Sequence, residues 1–131
     1  MLTVIALGRL KEPFYLQAAA EYEKRMRAFG GVKLLELPEA RLPDDPSPAQ
    51  VSAALKKEAE TVRQHLPKNA WLCVLAPEGK LMDSEALAHT LEAVRLRGKS
   101  DLVFLIGSSF GLDPALKRQG DLLLSMSPMT F

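Results

Sequence analysis

The segment from Asp101 to Gly111 limits the possible folds of this chain more than any other segment does. Five apolar residues follow Asp101 without polar alternation, and a turn that begins at Gly107 and ends at Gly111 comes directly after them. An unbroken apolar run of this length is typical of a strand buried on both faces of a parallel sheet. In open α/β sheets, ligands bind outside the carboxyl ends of such strands. We therefore expect the functional site at the turn that follows this strand.

A second polar loop is expected to form the other wall of the same crevice. An apolar run ends near Ser125 and leads into a loop that Pro128 would stiffen, and Leu75, at the end of another predicted strand, would complete the wall. Gly107 and Gly111 would let the main chain approach a ligand closely, but they would equally suit a turn that is merely tight. Such a pocket suits an adenine-like ligand held by main-chain groups. It also suits methyl transfer from a sulfonium donor, which needs placement more than acid–base groups.

Strand and helix patterns alternate along the whole chain, which predicts an α/β fold with a mostly parallel five-stranded sheet flanked by helices, as a single domain over residues 1–131. Ser47 followed by Pro48 is typical of a helix start. From Tyr15 to Phe29, apolar residues recur at the spacing of one helix face. We expect strands at 2–7, 32–37, 70–75, 102–106 and 122–125, and helices at 12–29, 47–66, 83–97 and 112–119.

The net charge of +1 limits how this chain could bind nucleic acid. A protein that neutralises phosphates usually carries a clear basic excess, so an RNA partner would require basic residues sorted onto one face or a surface doubled by dimerisation. Arg95, Arg97 and Lys99 cluster at the end of the third predicted helix, with Lys117 and Arg118 on the next. The same cations would also be explained by the dipole of the helix whose C-terminus they adjoin.

Several chemistries lack the residues that they need. His65 and His89 lie on separate predicted helices without a second ligand at metal-binding spacing, so no metal is expected. The serines of the Gly107 turn have no nearby histidine to activate them, and no Gly-x-Gly-x-x-Gly or P-loop motif is present. Cys73 is expected to be a small core residue. The opening residues lack a basic leader and no apolar run is long enough for a membrane span, so we expect a cytoplasmic protein without a membrane partner.

Motifs along the whole chain resemble, in order, those of one known family. The opening Val-Ile-Ala-Leu-Gly strand with Lys11 and Tyr15 resembles the start of the RlmH family of SPOUT-type RNA methyltransferases. Leu75 with the following Gly79-Lys80 resembles the middle motif of that family. The segments Phe104–Gly107 and Ser125–Phe131 resemble its two cofactor loops.

This resemblance implies a cofactor, a substrate and an assembly. It implies S-adenosylmethionine as methyl donor, a trefoil knot in the C-terminal half and a homodimer with the site at the subunit interface. It further implies methylation at N3 of a pseudouridine in large-subunit (23S) ribosomal RNA, with the assembled ribosome as partner. Position by position, the cofactor-binding residues implied are Leu75, Gly107, Met126, Ser127, Pro128, Met129, Thr130 and Phe131.

Two departures from the family pattern leave a second interpretation open. Ser108 stands where the family has a second glycine. Family members also continue past the position of Phe131 into a helix that threads the knot, packs the dimer and helps build the acceptor site, and we expect this chain to lack it. No catalytic residue is therefore assigned. The alternative interpretation is a non-catalytic or activity-impaired module that binds a cofactor or serves in assembly.

Overall fold

The predicted sheet is present, and within residues 1–129, which the computed structural model describes, its strands all run parallel. Their order across the sheet is β2-β1-β4-β3-β5. The strand predicted from the unbroken apolar run after Asp101 therefore lies at the centre, with neighbours on both sides. The strands are β1 (Leu2–Leu7), β2 (Val32–Leu37), β3 (Trp71–Leu81), β4 (Leu102–Ile106) and β5 (Leu122–Ser125).

Helix starts follow the capping residues of the sequence. The Ser47 side chain accepts a hydrogen bond from the Gln50 N–H, and the Gln50 side chain accepts one from the Ser47 N–H, which forms a capping box. Asp83 and Asp113 cap the next two helices, each with a side-chain oxygen that accepts a hydrogen bond from the main-chain N–H three residues later. The helices are α1 (Pro13–Met26), which a single 3₁₀ turn at Arg27–Phe29 extends, α2 (Pro48–His65), α3 (Ser84–Leu96) and α4 (Pro114–Gln119).

The two faces of the sheet bury separate hydrophobic clusters. One cluster joins Ile5 and Leu105 to Val62 of α2 and Leu116 of α4, and all four side chains are fully buried. The other joins Trp71 and Cys73 to Val94 of α3. Successive strand residues point to opposite faces, which is why the neighbouring Cys73 and Val74 belong to different clusters.

Cys73 occupies the core position that the sequence predicts. Its side chain is fully buried, and it forms no disulfide. Burial raises the pKa of the Cys73 thiol to about 12, because the thiolate would lose its solvation. Cys73 is therefore a neutral core side chain.

The apolar face of the first helix is not buried against the rest of the protein. The apolar spacing from Tyr15 to Phe29 is present, but none of the residues of α1 is buried. Tyr15, Tyr22 and Phe29 are all more than half exposed. Glu21 and Arg25 form an exposed ion pair on this helix, with 3.1 Å between Oε1 and Nε. A helical period indicates that one face is apolar, but it does not say which surface packs against that face.

The third strand is longer than the expected 70–75, because it continues beyond an interruption of its regular pairing with β5. Its register against β5 shifts between Leu75 and Lys80, both of which pair with Leu124. Pro77 lies in this interruption and has no N–H to donate to a sheet ladder. Gly79 then passes so close to β5 that a Cβ atom there would lie 2.7 Å from the carbonyl carbon of Leu123. Residues 77–80, which lie beyond the expected strand, are thus an irregular part of β3.

Candidate functional site

The structure brings the predicted site segments to one edge of the sheet. Leu75 pairs with Ile106 on one side and with Leu124 on the other. Gly107 directly follows Ile106, and Met126–Met129 directly follow β5. Leu75, at which the regular pairing of β3 ends, therefore lies beside the residues that follow the carboxyl ends of β4 and β5, which are Gly107, Met126, Ser127, Pro128 and Met129. Thr130 and Phe131, which complete the predicted set, lie outside the described residues.

The turn after β4 is held by its own backbone. The Gly111 N–H donates to the Ser108 carbonyl at 2.8 Å, and Gly111 has a φ of +86°, which favours glycine. A Cβ atom at Gly107 would lie 2.7 Å from the Gly111 carbonyl oxygen. Both glycines are thus required by the turn itself. This supports the tight-turn interpretation, and close approach to a ligand stays a prediction.

A buried carboxylate forms a hydrogen bond to this turn. Glu58 on α2 is only 4% exposed. Its Oε1 accepts a hydrogen bond from the Ser108 hydroxyl at 2.9 Å, and its Oε2 accepts one from the Ala40 N–H at 2.8 Å. Glu58 was not among the site residues predicted from the sequence. The available signal was its spacing, because it stands four residues after Ala54 and four before Val62, on the face that α2 buries.

A crevice of about 270 Å³ adjoins this turn on its α2 side. Ser108, Ser109 and the half-exposed Phe110 form one wall, α2 contributes the floor with Glu58, and the loop after β2 forms the other wall. Leu75, Gly107 and residues 126–129 do not line this crevice. The crevice therefore lies beside the predicted cofactor edge and not within it.

The end of β5 offers a hydrogen-bonding group without a partner. Ser125 is 1% exposed, and its hydroxyl makes no hydrogen bond within residues 1–129. Beyond it, Met126 and Met129 are exposed, and the Met129 N–H donates to the Ser127 hydroxyl at 3.0 Å. An unmet buried hydroxyl beside a loop of accessible main chain fits a ligand that carries its own donors and acceptors.

Comparison with known proteins decides the family. A family model described as predicted SPOUT methyltransferase matches residues 1–131. The chain belongs to this family. A 38% identical relative from Moorella thermoacetica, named ribosomal RNA large subunit methyltransferase H, aligns over 99% of this chain and 81% of its own length. A 36% identical relative from Methanococcus maripaludis is named putative ribosomal RNA large subunit methyltransferase H. It aligns over 99% of this chain and 82% of its own length.

A third relative, from Halothermothrix orenii, also bears the name ribosomal RNA large subunit methyltransferase H. It is 35% identical over 99% of this chain and 82% of its own length. The alignment with each of these relatives covers all the strands and helices that the structure describes. The resemblance to the RlmH family of SPOUT methyltransferases is therefore confirmed, and so is the α/β fold class with its parallel sheet.

The Arg95–Lys99 cluster of this SPOUT methyltransferase does not lie at the predicted cofactor edge. Arg95, Arg97 and Lys99 lie where α3 ends and β4 is about to begin, at the amino edge of the sheet. Lys99 Nζ donates to the Asn69 carbonyl at 3.0 Å. Their position agrees with the helix-dipole explanation, and it separates them from Gly107 by the length of β4.

Lys117, on α4, does reach the predicted cofactor edge. Lys117 Nζ lies 2.8 Å from Glu78 Oε1, in the interruption of β3. This hydrogen bond lowers the pKa of the Glu78 carboxyl below its ordinary value. The pair fastens α4 to the irregular segment beside Leu75.

Metal and membrane features can be assessed within the same part of the chain. Across residues 1–129, no three side chains of histidine, cysteine, aspartate or glutamate come together as a metal site would require. His65 and His89 are both exposed, and His65 Nδ1 lies 2.8 Å from the Thr61 carbonyl oxygen. None of the helices described here has the length and apolar composition that a bilayer crossing needs.

Proposed function

We propose that this chain is an S-adenosylmethionine-dependent methyltransferase that modifies N3 of a pseudouridine in large-subunit (23S) ribosomal RNA. The observation that carries the proposal is the meeting of Leu75, Gly107 and residues 126–129 at one sheet edge, in a SPOUT methyltransferase. Relatives named for methylation of large-subunit ribosomal RNA support the substrate. The assembled ribosome as partner is part of the proposal, because ribosome shape would supply recognition that a net charge of +1 does not.

The residues of the edge fit the proposed cofactor in kind. Main-chain groups of the Gly107 turn and of residues 126–131 would hold S-adenosylmethionine, with the Leu75 side chain, half-buried between its neighbours, as an apolar contact. Ser125 adds a hydroxyl whose hydrogen-bonding capacity is unused within residues 1–129. The cofactor supplies an already activated methyl group on its sulfonium. The work of this chain is therefore to orient donor and acceptor.

The homodimer stays part of the proposal and has support from α1. Tyr15 and Tyr22 of this helix and Phe29 of its 3₁₀ extension are exposed, and a groove of about 1040 Å³ runs between that extension and α3. Leu91 and the 82% exposed Leu96 line the α3 side. An apolar stripe of this extent is typical of a surface that another subunit or segment covers. The trefoil knot of the family is likewise a prediction for this chain.

Two measurements test the proposed activity in sequence. Titration calorimetry with S-adenosylmethionine and with S-adenosylhomocysteine is expected to show binding to the folded protein. Radiolabelled methyl transfer to ribosomes that lack the modification is then expected to place the label on the pseudouridine. A longer family relative serves as the positive control. Absence of binding to a folded sample would contradict the proposal, and binding without transfer would instead favour the alternative of a non-catalytic cofactor-binding or assembly module.

A further inference from the structure

Glu58 is a buried charged group that the proposed reaction does not use. It is 4% exposed and lies on the face of α2 that packs against the sheet, between Ala54 and Val62. Carboxylates are rarely buried without partners, because the loss of solvation strongly disfavours the charged form. The partners of Glu58 should therefore indicate what the residue does.

Each oxygen of Glu58 is bonded to a different loop. Oε1 accepts from the hydroxyl of Ser108, within the turn that begins at Gly107. Oε2 accepts from the main-chain N–H of Ala40, in the loop after β2. Ser108 also lies opposite Gly111 in a short bridge, so a displacement of its side chain would be passed to the whole turn. A single side chain on a rigid helix thus fixes two loops that the sheet alone does not hold.

We propose that Glu58 is a positioning residue that sets the Gly107 turn for the cofactor through Ser108, and that it ties the loop at Ala40 to the same turn. The inference rests on the proposed function, since it gives the turn a cofactor to hold. It also assigns a use to Ser108, whose side chain replaces a glycine of the family pattern: its hydroxyl donates to the supporting carboxylate.

The chemistry of the contact gives the direction of each variant. Ser108→Ala removes the donor to Oε1 and leaves a buried carboxylate with one hydrogen bond fewer, which loosens the turn. Glu58→Gln keeps both contacts, because its amide oxygen can accept from Ala40 and its NH₂ can donate to the Ser108 hydroxyl. If Glu58 acted by its charge or as a base, Glu58→Gln would be as damaging as Ser108→Ala.

The experiment compares S-adenosylhomocysteine affinity by calorimetry for wild type, Ser108→Ala, Glu58→Gln and the control Ser109→Ala. The control makes the same chemical change at the next residue of the turn, whose side chain makes no hydrogen bond to Glu58 within residues 1–129. We expect Ser108→Ala to weaken binding roughly tenfold, the size of one hydrogen bond to a charged group. Glu58→Gln and Ser109→Ala should stay within about twofold of wild type, on the same grounds.

A second readout does not depend on the ligand. Hydrogen exchange of the Ala40 amide reports its bond to Glu58 directly, and we expect faster exchange in Glu58→Ala, which removes the acceptor, but not in Ser109→Ala. Ser108→Gly loses the same hydroxyl and decides the question if Ser108→Ala does not fold. The proposal is overturned if wild type binds while Ser108→Ala and Ser108→Gly bind equally well, or if Ser109→Ala is equally impaired. Failure of wild type to bind would overturn the proposed function together with this inference, so the two failures are distinguishable.

Discussion

Replacing Ser125 with alanine should stabilise the protein, although Ser125 is one of its most buried residues. The Ser125 hydroxyl is buried and makes no hydrogen bond within residues 1–129. A hydroxyl that is desolvated without a partner costs about 1–3 kcal/mol in proteins. Alanine removes that cost and forfeits only the packing of one oxygen atom. We expect a net gain of about 1 kcal/mol in the free energy of unfolding, or about 3–4 °C in Tm for a domain of this size.

Urea unfolding of the ligand-free protein, with thermal unfolding alongside, measures this effect. Ser47→Ala is the matched control, because it removes the same atom from a hydroxyl that accepts the Gln50 N–H at 3.2 Å as a helix cap. The control should lose about 1 kcal/mol, so the two substitutions should move stability in opposite directions. If Ser125→Ala lowers stability as much as Ser47→Ala does, the hydroxyl has a partner and our reasoning is refuted.

Three further predictions concern other parts of the molecule. Gly79→Ala should lose about 2 kcal/mol or more in urea unfolding, because the new Cβ would lie 2.7 Å from the Leu123 carbonyl group, and a wild-type midpoint would contradict the close approach. Burial raises the pKa of the Cys73 thiol from 9.0 to about 12, so this thiol should not affect the free energy of unfolding below about pH 9. Between about pH 9 and pH 12, stability should fall by a few kcal/mol, because the thiol ionises only in the unfolded state. Cys73→Ala should remove that alkaline loss, and an unchanged loss in this variant would show another origin. Wild type should sediment as a dimer and Tyr22→Glu, on the exposed face of α1, as a monomer, whereas a monomeric wild type at micromolar concentration would contradict the dimer.

Much of the fold was predictable because the signals are local. An unbroken apolar run after Asp101 has few alternatives to a central parallel strand, and that strand is β4, paired on both sides. Ser47 followed by Pro48 predicts where α2 begins, because the capping hydroxyl and the fixed φ of proline both favour a helix start within the same turn. Such features depend on neighbours in the sequence and not on tertiary partners.

What escaped prediction depends on tertiary contacts. Glutamate is usually a surface residue, and Glu58 is buried only because two loops cover it and donate hydrogen bonds to it. The resumption of β3 after Pro77 depends on how close Gly79 comes to β5. The adjacency of Leu75 and Gly107 follows from the strand order, which alternation of strands and helices does not specify. For the site, the family resemblance supplied residue positions that spacing alone left open.

The position of β4 has a consequence for synthesis on the ribosome. β1 and β3 never touch in the sheet, because β4 is inserted between them although it is made after both. Until residues 102–106 emerge, the nascent chain holds only a β1–β2 pair and an isolated β3, each with unpaired edges. Native assembly must therefore wait for the last third of the chain, a delay typical of non-local parallel pairing. Exposed edges make that interval the period of greatest risk for misassociation.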